Sequence, residues 1–264
     1  MDRLSRLESE SISIVREAYR RVKPLGMLWS VGKDSTALLW LTRKAFLGEI
    51  PFPVAMLDTS LEFPEVYALR YRLISEFNLD FHNELCPPES DVDPTLPPAG
   101  RAAARKSEGL KALLRRFRWN GVLLAIRRDE QATRAKERVF SPRSASGRWE
   151  FRDQPPEFWG FYKTEVFDGE HLRIHPMLGW TELDVWEYTR REGIPYCSLY
   201  LASEGRRFRS LGESNITTPV ESEAATLDAI IEELRDSNAP ERAGRAMDHE
   251  SEDAFERLRV SGYM

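Results

Sequence analysis

Ser30-Val31-Gly32-Lys33-Asp34-Ser35 lies between two apolar runs, Gly26-Met27-Leu28-Trp29 before it and Ala37 to Leu41 after it. Together these residues predict a strand, a tight turn around one glycine, and a helix that opens near Ser35. Such a turn aims backbone N–H groups and the positive end of a helix dipole at one small volume, with Lys33 beside it. That volume suits a phosphate or pyrophosphate. The stretch is too short for the eight-residue GxxxxGK[ST] loop and has one glycine where a dinucleotide fingerprint has three, so it fits neither pattern. Taken alone, it also reads as a strand-to-helix turn with Lys33 and Asp34 in solvent.

The next unit repeats the arrangement. Pro53-Val54-Ala55-Met56-Leu57 is a short apolar run ending in Asp58-Thr59, followed by Glu62-Phe63-Pro64-Glu65 and a helical stretch to Phe77. A carboxylate at the end of a second strand sits where a doubly wound sheet places its nucleotide crevice; the same Asp58 could also cap a turn. Strand-like runs recur at Leu25–Trp29, Val54–Leu57, Leu79–Phe81, Val122–Ile126 and Leu172–Ile174, mostly separated by helical segments; the first helix spans Leu7 to Val22. This alternation predicts an α/β fold, a doubly wound, mostly parallel sheet with helices on both faces. Cys86 to Pro98 and Phe140 to Phe161 break the pattern and read as long loops, the first over the nucleotide mouth. Thr181-Glu182-Leu183-Asp184 reads as a capped helix start running to Arg191, with Trp180, Val185, Trp186 and Tyr188 as packing residues. Two regions are expected: an α/β domain over 1–212, and a helical tail over 213–264 with a helix at Ser222–Leu234, docked on the core or on a partner.

The chain has 264 residues, 41% of them hydrophobic, enough to bury a substantial core. No run is long enough for a membrane span, and Met1-Asp2-Arg3-Leu4 lacks the layout of a secretory leader. Cys86 and Cys197 form no CxxC pair, which predicts neither a disulfide framework nor a cysteine metal site and fits a reducing cytoplasm. His82, His171, His175 and His249 have no metal spacing, and His171 and His175 read as strand-edge residues. Net charge is −5 but uneven: residues 101–152 carry 15 Lys/Arg against 5 Asp/Glu, and residues 212–264 carry 5 against 13. The basic block has few interleaved aromatics and no RNA-binding motif, which argues against nucleic acid; a solvated helix face or a polyanion site explains it.

Three segments then carry a resemblance: Ser30–Ser35, Asp58-Thr59 with Glu62–Glu65, and Arg127-Arg128-Asp129-Glu130 followed by Arg134-Ala135-Lys136-Glu137-Arg138. They resemble the adenine nucleotide alpha hydrolase superfamily, in its phosphoadenylylsulfate reductase-like branch, and most of all the small catalytic subunit family of bacterial sulfate adenylyltransferases. The likeness extends through Trp180–Trp186, Ser198-Leu199-Tyr200-Leu201-Ala202, Arg207-Phe208-Arg209-Ser210-Leu211-Gly212 and the tail run Glu241-Arg242-Ala243-Gly244-Arg245. It implies transfer of the adenylyl group of ATP to sulfate, with Mg2+ on the nucleotide and a GTPase large subunit as partner. It also implies ATP or pyrophosphate contacts from Ser30, Gly32, Lys33, Asp34, Ser35 and Asp58. Lys33, Arg127, Arg128 and Asp129 become the catalytic candidates, and Arg134, Lys136 and Arg138 supply charge for sulfate and phosphates. No protein metal ligand is expected.

The chain departs from that family in two places. Only Ser203-Glu204-Gly205-Arg206 separates Ala202 from Arg207, where the family has a longer segment, and Glu213-Ser214 stand where it has Cys-Trp. Other readings are a phosphoadenylylsulfate reductase, a thiolating or adenylating enzyme with another acceptor, and a non-catalytic nucleotide-binding subunit. The reductase chemistry needs a cysteine near the C-terminus, and none follows Cys197.

Overall fold

The computed structural model describes residues 1–236 and Glu241. Helix α1 (Arg3–Arg21) buries Leu7, Ser11, Ile14, Val15 and Ala18 at helical spacing, and Asp2 caps it by accepting the Ser5 N–H at 2.7 Å. Then come β1 (Leu25–Leu28), α2 (Lys33–Ala45), β2 (Val54–Asp58), α3 (Pro64–Glu76), β3 (Phe81–Leu85), α4 (Pro98–Phe117) and β4 (Gly121–Leu123). They are followed by the single turn α5 (Ala132–Ala135), β5 (Phe140–Arg143), β6 (His171–Ile174) and α6 (Glu182–Glu192). A small pair, β7 (Arg206–Arg207) and β8 (Val220–Glu221), precedes α7 (Leu227–Asp236).

The main sheet has six strands in the order β3-β2-β1-β4-β6-β5, all parallel except β5. Alternate residues of β2 enter different cores. Val54 and Met56 join the larger apolar cluster with α1, α2, α3 and α6, whereas Ala55 and Leu57 pack with Leu110 and Leu113 of α4. Every residue of β1, β2 and β4 is buried, the signature of a sheet covered on both faces. The chain leaves β1 toward β2 on one side and returns to β4 on the other, so the sheet order reverses between β1 and β4. That reversal opens a crevice at their carboxyl ends.

The expected doubly wound sheet is present, with two local differences. β3 begins at Phe81 instead of ending there, and β5 arises within the segment expected as loop. Pro142 weakened the strand signal of Phe140-Ser141-Pro142-Arg143, but an edge strand tolerates a proline, and Phe140 pairs with Ile174 while fully buried. Residues after 213 do not start as a separate piece: β8 pairs with β7 across that position, and Ile230 and Ile231 of α7 sit in the larger core. α7 begins at Leu227, not Ser222, because Val220 and Glu221 are committed to the strand pair. Apart from Glu241, the remainder of the expected tail, including His249, lies outside the described residues.

Gly26 lies in the middle of β1, where an added Cβ would run into the Trp119 indole. Gly26→Ala is therefore expected to cost about 1–3 kcal/mol of stability through overpacking. Denaturant unfolding checks this; a midpoint equal to wild type would show that the indole yields freely.

Candidate active site

The loop after β1 ends in Gly32, which caps α2 with an extended backbone, and Lys33, Asp34 and Ser35 form the helix's first turn. Val31, a β-branched residue, is held at φ 63° and buried. That left-handed backbone costs of the order of 1–3 kcal/mol and persists only because the surrounding core fixes it. The loop is braced from both sides. Trp29 Nε1 donates to Thr36 Oγ1 at 3.1 Å, the Ser30 and Ser35 hydroxyls are 3.1 Å apart, and the Lys33 N–H donates to the Tyr200 hydroxyl at 3.0 Å. Tyr200 belongs to the Ser198–Ala202 run, so that part of the resemblance has a physical role.

Two buried cations converge in front of this loop. Lys33, 3% exposed, places its Nζ 3.3 Å from Asp34, 4.0 Å from Glu182 and in contact with Glu241, and donates to the Arg209 carbonyl at 3.4 Å. Arg127, fully buried in the stretch after β4, donates to Asp129 at 2.9 Å and pairs with Asp34 and Glu241. Burial works against the charged guanidinium, but Glu241, Glu130, Asp129 and Glu182 outweigh it and hold the Arg127 pKa above its ordinary value. Burial likewise opposes ionisation of Glu241, yet Lys33 and Arg127 pull its carboxyl well below the usual range. The second Asp129 oxygen accepts the Glu182 N–H at 2.8 Å, and Glu182 pairs with Arg209 at 2.8 Å, tying α6 and the Arg207–Gly212 motif to the cluster.

Lys33, Asp34 and Glu241 of this cluster border a cavity of about 260 Å³, with Arg127 buried directly behind them through its pairs to Asp34 and Glu241. One wall is Ser30, Gly32, Lys33, Asp34 and Ser35; the floor is the apolar strip Leu28, Leu124, Ala125 and Ile126; Ser210, Leu211 and Gly212 face them. Three further cationic or basic residues reach it from elements that the motifs did not single out: Lys106 of α4, Arg173 of β6, and His175 just beyond β6. For Arg173 and His175 the signal was present in His171-Leu172-Arg173-Ile174-His175, where a buried strand alternates basic and apolar residues so that one face is core and the other polar. Arg173 and His171 are both buried. Burial first, then Arg173 and Arg143, depress the His171 pKa to about 3.

The sequence candidates separate into three groups. The loop residues, Arg127 and Asp129 come together in the cluster, and Arg134 lines the cavity while paired with Glu130. Arg128 is exposed and borders a separate cavity of about 40 Å³ beside Trp180. Lys136 lies 5.1 Å over the Phe151 ring, and Arg138 Nε donates to the Pro155 carbonyl at 3.3 Å, so both face the 144–161 loop. Asp58 is buried and does not line the cavity. Its carboxylate accepts from Ser60 N at 2.8 Å, Tyr67 Oη at 2.7 Å, Asn83 Nδ2 at 3.0 Å and Arg70 at 3.1 Å. Glu182, Arg209 and Glu241 join the cluster without having been candidates. Among the described residues no three acidic, histidine or cysteine side chains gather as a metal cage.

Residues 24–219 match the phosphoadenosine phosphosulfate reductase domain family. The chain is 37% identical to sulfate adenylyltransferase subunit 2 of Stutzerimonas stutzeri strain A1501 over 297 aligned positions, spanning 98% of this chain and 97% of that protein. Sulfate adenylyltransferase subunit 2 of Pseudomonas fluorescens strain SBW25 is equally similar, 37% identical over 299 positions with the same coverage. Both alignments are longer than the 264-residue chain, so the relatives carry residues that it lacks. Among solved structures, Candida glabrata FMN adenylyltransferase shares the fold with a TM-score of 0.59 at 17% identity, covering 92% of this chain and 87% of that one. The phosphoadenylyl-sulfate reductase of Candida auris does so with 0.53 at 15%, covering 83% and 98%. With the reversed sheet order, the braced loop and near-complete coverage by these relatives, the chain belongs to the sulfate adenylyltransferase subunit 2 family.

Proposed function

We propose that this chain transfers the adenylyl group of ATP to sulfate, releasing pyrophosphate in sulfate activation. The observation that carries the reading is the buried Lys33–Arg127 pair at the mouth of a strand-to-helix anion loop, in a chain of this family. In the step, a sulfate oxygen attacks the α-phosphorus, an O–P bond forms, and the bond from that phosphorus to the bridging oxygen breaks, with its electrons leaving on pyrophosphate. No proton has to be removed and no electron is exchanged with a cofactor. The protein's task is to hold two anions in line and neutralise the charge that grows on the leaving group.

The loop N–H groups, Lys33 and Arg127 are assigned to the pyrophosphate end, and the apolar strip from Leu124 to Ile126 to the adenine. On this reading the acceptor lies toward β6, two strand spacings or roughly 10 Å from β1, where Arg173 offers a guanidinium fork to a tetrahedral dianion. Arg134 and Lys106 add positive charge along the same wall. Asp34, in the first turn of α2 and paired with Lys33 and Arg127, would be the carboxylate to hold a magnesium ion on the nucleotide, which would supply further positive charge for the phosphates. Both thiols are buried, and burial pushes the Cys86 pKa up to about 11 and raises that of Cys197, which disfavours thiolate chemistry. The name of the relatives implies a partner subunit; a GTPase in the cytoplasm fits the family resemblance. No described helix is long and apolar enough to cross a membrane.

Exchange of labelled pyrophosphate into ATP is expected to require sulfate, with and without a candidate GTPase. Sulfate-independent exchange, or exchange supported only by another acceptor, would overturn the sulfate assignment. Within that assay, Arg173→Gln is expected to raise the sulfate KM about 100-fold while the ATP KM stays within threefold, the size expected for losing a charged hydrogen-bond fork. Parallel increases in both KM values would move Arg173 to the nucleotide.

A further inference from the structure

Glu241 is the single described residue beyond Asp236, and it lies inside the site. It is 8% exposed, lines the same cavity as Ser35 and Lys33, and engages both carboxylate oxygens, one with the Lys33 ammonium and the other with the Arg127 guanidinium. These two cations come from different strand ends, the loop after β1 and the stretch after β4. A group that bridges them must present two negative oxygens on one centre. A phosphoryl group does this in a substrate, and a carboxylate does it here.

The charge balance sharpens the point. Around the loop, the described cations Lys33, Arg127 and Arg209 meet four carboxylates, Asp34, Asp129, Glu182 and Glu241. Lys106, Arg134 and Arg173 also reach the cavity, with Arg134 paired to Glu130, so the Glu241 carboxylate offsets chiefly the two cations nearest the loop. Asp129 and Glu182 are fixed by hydrogen bonds and ion pairs to α6 and Arg209, and Asp34 belongs to the first turn of α2. Glu241 differs: it is brought in by the carboxy-terminal chain, and its contacts in the cluster are the two cations the phosphates would use.

We infer that Glu241 is an internal occupant of the phosphate position, and that ATP or pyrophosphate binds by exchanging with its carboxylate. The inference rests on the reading of the Lys33 loop as the phosphate site. Nucleotide affinity is then set partly by competition within the chain. By linkage, anything that engages Glu241 away from the two cations strengthens nucleotide binding by the same factor that nucleotide strengthens its own.

The test is calorimetric titration of the full-length protein with inorganic pyrophosphate, and separately with ATP, at low ionic strength. Glu241→Gln keeps the side chain's shape and removes its charge; Glu241→Ala removes both, and circular dichroism establishes that each variant is folded. Both variants are expected to bind pyrophosphate at least tenfold more tightly than wild type, with the difference shrinking as salt screens the competition. Unchanged or weaker binding by folded variants would overturn the inference and make Glu241 a fixed part of the site. Lys33→Ala combined with Glu241→Gln is expected to lose the gained affinity. If wild type and both single variants all fail to bind pyrophosphate and ATP, the phosphate reading itself falls, and the inference with it.

Discussion

Lys33→Ala is expected to lower adenylyl transfer by roughly 10²–10³-fold, the range for removing one preorganised group that stabilises developing charge. The Lys33 ammonium is nearly fully buried and within ion-pair reach of Asp34, Glu182 and Glu241, so in water-poor surroundings it acts at close range on whatever anion enters. Its loss also removes the ammonium that meets Asp34, Glu182 and Glu241 together. The affinity for pyrophosphate should therefore fall together with turnover. The fold should persist, because α2 is anchored by Ala37, Leu38, Leu39 and Leu41 in the core and not by Lys33. Steady-state kinetics and circular dichroism on the same preparation check both halves. A folded variant with wild-type turnover would remove Lys33 from the phosphate position.

The fold was legible because its strongest signals are local. Apolar runs ending in a glycine turn or an aspartate predict βα units, and β1, β2, β4 and β6 fall where those runs are. β5 was missed for an equally local reason: Pro142 and flanking polar residues mask an edge strand whose pairing with β6 is antiparallel and distant in sequence. The site was half legible. Contiguous motifs brought in the loop, Arg127 and Asp129. Clustering by sequence proximity failed for the basic run, since Arg128 turns to the small cavity beside Trp180 while Lys136 and Arg138 turn to the 144–161 loop. Arg173, Lys106, Arg209 and Glu241 reach the site from a strand, a helix and two later segments, and only the folded arrangement puts them together. Alternation of basic and apolar residues in β6 was the one sequence cue for Arg173.

Asp58→Ala is expected to destabilise the protein by about 3–5 kcal/mol, the cost of stripping one partner from a buried ion pair. Sequence order pointed to a nucleotide-facing carboxylate, yet both oxygens are taken by Ser60, Tyr67, Asn83 and Arg70. Arg70 is 4% exposed and stacked between the Tyr67 and Tyr71 rings, so without Asp58 its charge stays buried with the Asn83 side-chain carbonyl and the Tyr71 hydroxyl as neutral acceptors. Asp58→Asn keeps an acceptor for Tyr67 and Ser60 but turns an amide toward Arg70 and Asn83, and should lie between wild type and alanine. The pH dependence has a definite sign. Burial opposes the carboxylate, but the hydrogen bonds from Tyr67, Ser60, Asn83 and Arg70 prevail and lower its pKa in the folded state. The stabilisation is then fully present above the unfolded value of about 3.9 and fades as pH falls through the lower folded value. Urea unfolding of wild type and variant should differ by a constant amount from about pH 5 upward and converge in stronger acid. Well below its melting temperature the variant should keep its ATP KM. A variant of wild-type stability that loses ATP affinity would instead return Asp58 to the nucleotide.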